Sequence, residues 1–162
     1  MPVYRLQVLY DMKERAEKDA KDAWAAAQAR QREQEKLLED LKAELERMIE
    51  DRKRRREEYS QKLASGEMKI TDQSGANRFI ERLKEKEKEQ EAKIESQREN
   101  VRNAEKETHR SREAYMVASQ ELKALQKHKE KWQADWKKEM AMKEEDNLDE
   151  IGQVIFNQNA KR

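Results

Sequence analysis

A chain of 162 residues in which 45% of side chains are charged and 35% hydrophobic cannot build the thick apolar interior of a globular enzyme. With 37 basic against 36 acidic residues and a net charge of +1, it also lacks the basic excess of a protein whose main partner is a nucleic acid. It contains no cysteine, which excludes disulfides, zinc knuckles and thiol nucleophiles.

The opening stretch MPVYRLQVLYDMKERAEKDA has no apolar core of signal-peptide length, and the longest apolar run, AWAAA, is too short to span a bilayer. A soluble, cytoplasmic protein without direct membrane insertion is expected. Residues 4–64 contain neither glycine nor proline, which predicts a first helix over that span. Along it Leu6, Tyr10, Ala20, Trp24, Ala27, Leu38, Leu41, Leu45 and Met48 fall on alternating steps of three and four, the seam of a coiled coil. The same rhythm places Lys13, Glu17, Gln31, Gln34, Arg52, Arg55 and Tyr59 on the seam.

The run DRKRRREEYS contains five consecutive basic residues, Arg52 to Arg56. Arg52 and Arg55 are seam positions, where apolar stems pack and guanidinium groups reach across. Lys53, Arg54 and Arg56 point outward beside Glu57 and Glu58, so a solvated, ion-paired face is expected in preference to an RNA site.

Ser65, Gly66, Thr71, Asp72, Ser74 and Gly75 mark a loop over 65–75. A second helix follows over 76–147, with its own seam through Ile80, Leu83, Glu87, Gln90, Ile94, Gln97, Val101, Ala104, Thr108, Ser111, Tyr115, Ala118, Leu122, Leu125, Lys129, Trp132 and Trp136. Beyond Asn147 the rhythm fades into a tail, 148–162, with an apolar cluster of Ile151, Val154, Ile155 and Phe156.

The fold class is therefore all-α, a long two-helix antiparallel coiled-coil hairpin forming a single elongated domain over 1–162, on the order of 90 to 100 Å long at ~1.5 Å per residue. Folding the chain at the loop suggests an alignment with Met48 on Ile94, Leu41 on Val101, Leu38 on Ala104, Trp24 on Ala118 and Gln34 on Thr108. It also sets Arg52 on Gln90, Arg55 on Glu87, Tyr10 on Trp132 and Leu6 on Trp136, the last two forming an aromatic lock between the termini. A slide of one heptad puts Arg52 against Leu83 or Arg55 against Ile94, a poorer match. Two pairs fit badly, Lys13 with Lys129 and Glu17 with Leu125.

Catalytic chemistry is not expected. His109 and His128 have no convergent donors for a metal, and there is no glycine-rich phosphate loop or nucleophile triad, so the protein reads as no enzyme and as needing no cofactor. What stands out is apolar residues off the seam. Phe79 with Tyr59, Leu63, Met68, Ile70 and Leu83 makes a patch near the loop that is either a cap for the hairpin or an interface. Leu9, Met12, Ala16 and Ala23 widen the first stripe, so either the hairpin is overpacked there or another surface docks.

With its opening YRLQVLYDMKERAEKDA, its SG turn, the resumption FIERL and the closing EEDNLDEIGQVIF, the chain resembles the stalk proteins of type III export machines, FliJ of the flagellum and YscO of injectisomes. Arg5-Leu6 at the start and Asp149, Glu150 and Ile151 near the end carry the likeness. The resemblance implies a coiled coil similar to the shaft of rotary ATPases. Its terminal end would enter and stimulate a hexameric export ATPase, and its turn would touch the cytoplasmic domain of the export gate. It also implies handling of secretion chaperones, at the periphery of a membrane-embedded apparatus, by a monomeric hairpin. Tyr59, Phe79 and Leu83 match the gate-contacting pattern, with Leu63, Met68 and Ile70 beside them. Arg52 and Arg55 depart from it, which favours an injectisome-type or divergent system over the flagellar one. Lys13, Arg15, Lys18, Lys127, Lys129 and Lys131 are the groups expected to meet acidic pore loops of the ATPase. The alternatives are a structural spacer or tether that dimerises through its surplus apolar stripe, and an RNA-binding arm using Lys53, Arg54 and Arg56.

Overall fold

The computed structural model describes residues 1–161. Two helices account for almost all of them, α1 (Gln7–Ala64) and α2 (Ile70–Ala160), with no strand among the described residues. They pack against each other as an all-α helical hairpin, and the contacts fall into two units. One comprises Met1–Ala20 with α2 from Ala114 onward; the other is Lys21–Glu113 and includes the turn.

The heptad phase read from the sequence is the phase of the interface. Ala27, Ile80, Ile94, Val101 and Leu122 are buried, and so are the polar seam residues Glu87, Gln90 and Gln97. The remaining seam positions are half-buried, as expected where two helices share one narrow stripe. Among the described residues, no buried side-chain nitrogen or oxygen lacks a hydrogen-bond partner. The buried polar atoms of the seam are therefore satisfied, which is the condition for keeping them there.

The alignment of the helices differs from the expected one by about a heptad. In Lys21–Glu113 the Gln90 amide donates to the Leu41 carbonyl at 3.1 Å and to Glu44 at 3.4 Å, and the Gln97 amide donates to the Gln34 carbonyl at 2.9 Å and its side-chain oxygen at 2.8 Å. Glu87 is taken by Arg52, whose Nε donates to both carboxylate oxygens at 3.0 and 2.8 Å, in place of Arg55. The cause lies at the turn. α2 begins at Ile70, well before residue 76, so the loop is short and the fold-back point moves toward the N-terminus. Asp72 makes the early start possible: its carboxylate accepts from the Lys69 amide at 3.4 Å while its own amide donates to the Lys69 carbonyl at 2.9 Å. Gly66 closes α1 in the left-handed region at φ 79°, and the Ser65, Gly66 and Met68 amides satisfy the Gln61, Leu63 and Lys62 carbonyls.

The shifted alignment removes a misfit. Lys13 no longer confronts Lys129; it donates to Glu121 at 2.7 Å. Lys129 instead lies 4.8 Å from the ring centre of Tyr10, a cation-π contact. The aromatic lock also changes partners. Tyr4, ahead of the expected seam, is the buried anchor, with its ring 5.1 Å from Trp132 and its hydroxyl hydrogen-bonded to Nδ1 of His128. At the other terminus the expected irregular tail is helical to Ala160.

Candidate partner-binding surfaces

The basic run is only partly drawn into the fold. Arg52 and Glu87 form a largely buried pair, their side chains 17% and 8% exposed. Arg54 and Arg55 both bind Asp51, and the Arg55 guanidinium also stacks 5.1 Å from the Phe79 ring centre. Lys53 and Arg56 remain outward.

The turn patch divides into inner and outer parts. Tyr59, Leu63 and Met68 line one hollow of about 270 Å³ together with Ile80 and the stem of Lys84. Phe79 is held by Arg55 and Arg82, and Leu83 is half-buried in the seam. These residues close the hairpin. Ile70 stands apart, 82% exposed on the first turn of α2, in a shallow polar groove with Gln73, Ser74, Asn77 and Arg78. Of the six residues proposed from the sequence, only Ile70 offers its whole side chain to a partner; the others offer edges.

The cations of the terminal unit divide in the same way. Lys13 and Lys129 are engaged within the unit, whereas Arg15, Lys18, Lys127 and Lys131 are exposed and, among the described residues, carry no ion pair. Only the exposed four can give their charge to another molecule.

The largest uncovered apolar surface is one that sequence reasoning saw only in part. From Ala141 to Ala160 every residue of α2 is exposed, because α1 does not reach along this stretch. Leu148, Ile151 and Ile155 recur at helical spacing on one side, flanked by Val154 and Phe156, which is 72% exposed. Acidic residues precede and interleave them, Glu144, Glu145, Asp146, Asp149 and Glu150. The apolar cluster was legible, but its helical form was not. On α1, Val8 and Met12 make a second bare stripe one turn apart, with Leu9 partly exposed beside them. The surplus apolar width of this helix is thus not overpacking against α2.

Among the described residues there is no cluster of three or more metal-ligating side chains, and no helix is long and apolar enough to cross a membrane.

No curated protein sequence matches the chain. The fold matches the solved structure of a proposed YscO homolog from Chlamydia trachomatis, with a TM-score of 0.81 over 100% of this chain and 99% of that one, at 21% identity. At that identity the likeness speaks for the fold. The family model of YscO-like proteins matches residues 1–162 in full, and on that evidence the chain belongs to the YscO-like family.

Proposed function

We propose that this protein is a component of a type III secretion apparatus and acts as its stalk. In this reading the unit holding both termini enters a hexameric export ATPase and stimulates it, the turn meets the cytoplasmic domain of the export gate, and secretion chaperones are escorted on the exposed helix. The supporting observation is the uncovered end of α2, a helix already folded, with an exposed apolar stripe at Leu148, Ile151 and Ile155 that no other described residue covers. Each such side chain gains about 1.5–3 kcal/mol when fully buried, so a partner that covers the stripe is well rewarded. The exposed cations Arg15, Lys18, Lys127 and Lys131 in the same unit suit acidic pore loops and add long-range attraction that speeds encounter.

The test is ATP turnover by the assembled cognate ATPase with the protein added. Reversing Arg15, Lys18, Lys127 and Lys131 to glutamate should lower the stimulation while leaving helix content unchanged. Lys13 and Lys129 are poor reporters, because reversing them also breaks contacts inside the fold. Undiminished stimulation by the fourfold reversal counts against the pore assignment. Ile70→Asp, at a site that contributes nothing to the hairpin, should weaken binding to the gate domain alone.

The bare stripe of Val8 and Met12 gives some support to the spacer or tether reading, since a second copy could cover it. That reading requires a dimer in solution and no effect on the ATPase.

A further inference from the structure

The unit that holds both termini leaves two apolar stripes bare, and the two have the same spacing. At the end of α2, Glu144, Leu148, Ile151, Ile155 and Gln158 follow alternating steps of four and three, so they share one helix face. At the start of α1 and in the turn that leads into it, Arg5, Leu9, Met12, Ala16 and Asp19 follow the same steps, and every one of these residues is exposed. Laid side by side and running in the same direction, the stripes match layer by layer. Glu144 meets Arg5, Leu148 meets Leu9, Ile151 meets Met12, Ile155 meets Ala16 and Gln158 meets Asp19. Apolar layers are thus closed at one end by an ion pair and at the other by an amide beside a carboxylate, the make-up of a short coiled-coil seam.

The match is specific to that direction and alignment. A slide of one heptad sets Ile151 against Asp19 one way and against Arg5 the other. Running antiparallel with Ile151 kept on Met12, the stripe sets Glu144 against Asp19 and Leu148 against Arg15. The chain cannot satisfy the match by itself. Lys13 pairs with Glu121, Tyr10 with Gln126 and Tyr4 with Trp132, so α2 runs antiparallel to α1 and then continues past its start as one helix. Its last turns therefore point away from their own Met12.

We propose that the occupant of each stripe is a second copy of this chain: the end of α2 from one molecule docks along the first turns of α1 of the other, and the exchange is reciprocal. The directions require this symmetry. A docked α2 that runs parallel to its host α1 belongs to a molecule pointing the opposite way, because its own α1 is antiparallel to it. Two molecules so opposed are related by a twofold axis, and the same contact then forms twice and closes. Glu145, Asp146, Asp149 and Glu150 lie around the docking helix, so two such helices repel each other and each favours the α1 stripe, which carries Arg5 and Arg15. The dimer covers the apolar surface that a partner protein would otherwise take, so such a partner competes with the second copy. This inference does not depend on the secretion reading, since ATPase stimulation and self-association are separate readouts.

The test is the mass of the full chain by sedimentation equilibrium over micromolar to millimolar concentrations, where a reversible dimer is expected. Ile151→Asp should weaken it at least about a hundredfold, because the symmetry counts each loss twice, and should leave helix content unchanged. Glu144→Arg or Arg5→Glu alone should weaken it about two- to thirtyfold, and the two together in one chain should restore it. The chain has no native cysteine, so disulfides between separately labelled copies read the alignment; a bond needs Cα atoms within about 4.4–6.8 Å. Copies with Leu9→Cys mixed with copies with Leu148→Cys, and Ala16→Cys mixed with Ile155→Cys, should join faster than the crossed mixture of Leu9→Cys with Ile155→Cys. A single-chain mass at every concentration overturns the proposal. So does a dimer indifferent to Ile151→Asp, or a crossed mixture that joins first.

Discussion

Replacing Arg52 with alanine should destabilise the hairpin by about 3 kcal/mol. The figure lies between the ~1 kcal/mol ceiling of a surface ion pair and the 3–5 kcal/mol lost when a buried pair is broken, and the exposures of 17% and 8% place this pair near the buried end. The loss arises less from the missing attraction than from Glu87, a carboxylate left in the seam with its two guanidinium hydrogen bonds removed. For a chain of this length ~3 kcal/mol corresponds to a fall in Tm of roughly 6–12 °C, readable by far-UV circular dichroism. Replacing both partners with leucine should recover most of it, because no charge is then stranded and the new side chains suit a seam. Glu87→Gln is the intermediate case, since a neutral amide is cheaper to leave half-paired. A loss below about 1 kcal/mol for Arg52→Ala would mean that Glu87 is solvated like a surface residue, and the description of the seam would be wrong.

Other substitutions test separate parts of the molecule. Tyr4→Ala removes the buried ring beneath Trp132 and should cost about 2–4 kcal/mol, seen as faster amide exchange in the first turns of α1, whereas Tyr4→Phe should cost only the hydroxyl contact to His128, about 1 kcal/mol. Gly66→Ala should destabilise by roughly 1–2 kcal/mol, because φ 79° is a left-handed conformation that an L side chain resists. Gly75→Ala and Gly152→Ala should each raise helix stability by up to about 1 kcal/mol, since both lie in exposed helix with space for a methyl group; a decrease at either would show that its backbone is not helical. Lys13→Glu should cost no more than about 1 kcal/mol and should be rescued by Glu121→Lys, a pairing that only the observed alignment predicts.

Much of the fold was written in the spacing of residues. Two long runs free of glycine and proline define two helices, and the steps from Ile80 to Trp136 name the buried face without a skip. The alignment was not legible, because a heptad shift leaves every seam residue on the seam and changes only its neighbour. Pairwise chemistry had to decide, and the expected pairs were plausible. Lys13 facing Lys129 was the signal that the choice was wrong. The start of α2 was hidden by Thr71, Ser74 and Gly75, which read as loop but cost only a few tenths to about 1 kcal/mol each in an exposed helix once Asp72 caps it. The far end was hidden by the acidic run before Leu148: it breaks the apolar rhythm, yet helix propagation needs only the absence of a breaker.

The candidate surfaces were legible as residue types and less so as exposures. Lysines at 13 and 129 look like their neighbours at 18 and 131 in the sequence, and only packing against Glu121 and Tyr10 sets them apart. Tyr59, Leu63 and Met68 could close the turn or present it, and in the structure they line its inner hollow.

The most direct measurement is the ATP turnover of the assembled export ATPase with the full chain and with a form ending at Met140, which retains the α1–α2 seam and lacks the bare apolar stripe. The stalk account predicts stimulation by the full chain, a large loss of it on truncation, and unchanged melting of the paired helices. Equal stimulation by both forms would remove the end of α2 from the mechanism, and none from either would contradict the stalk itself.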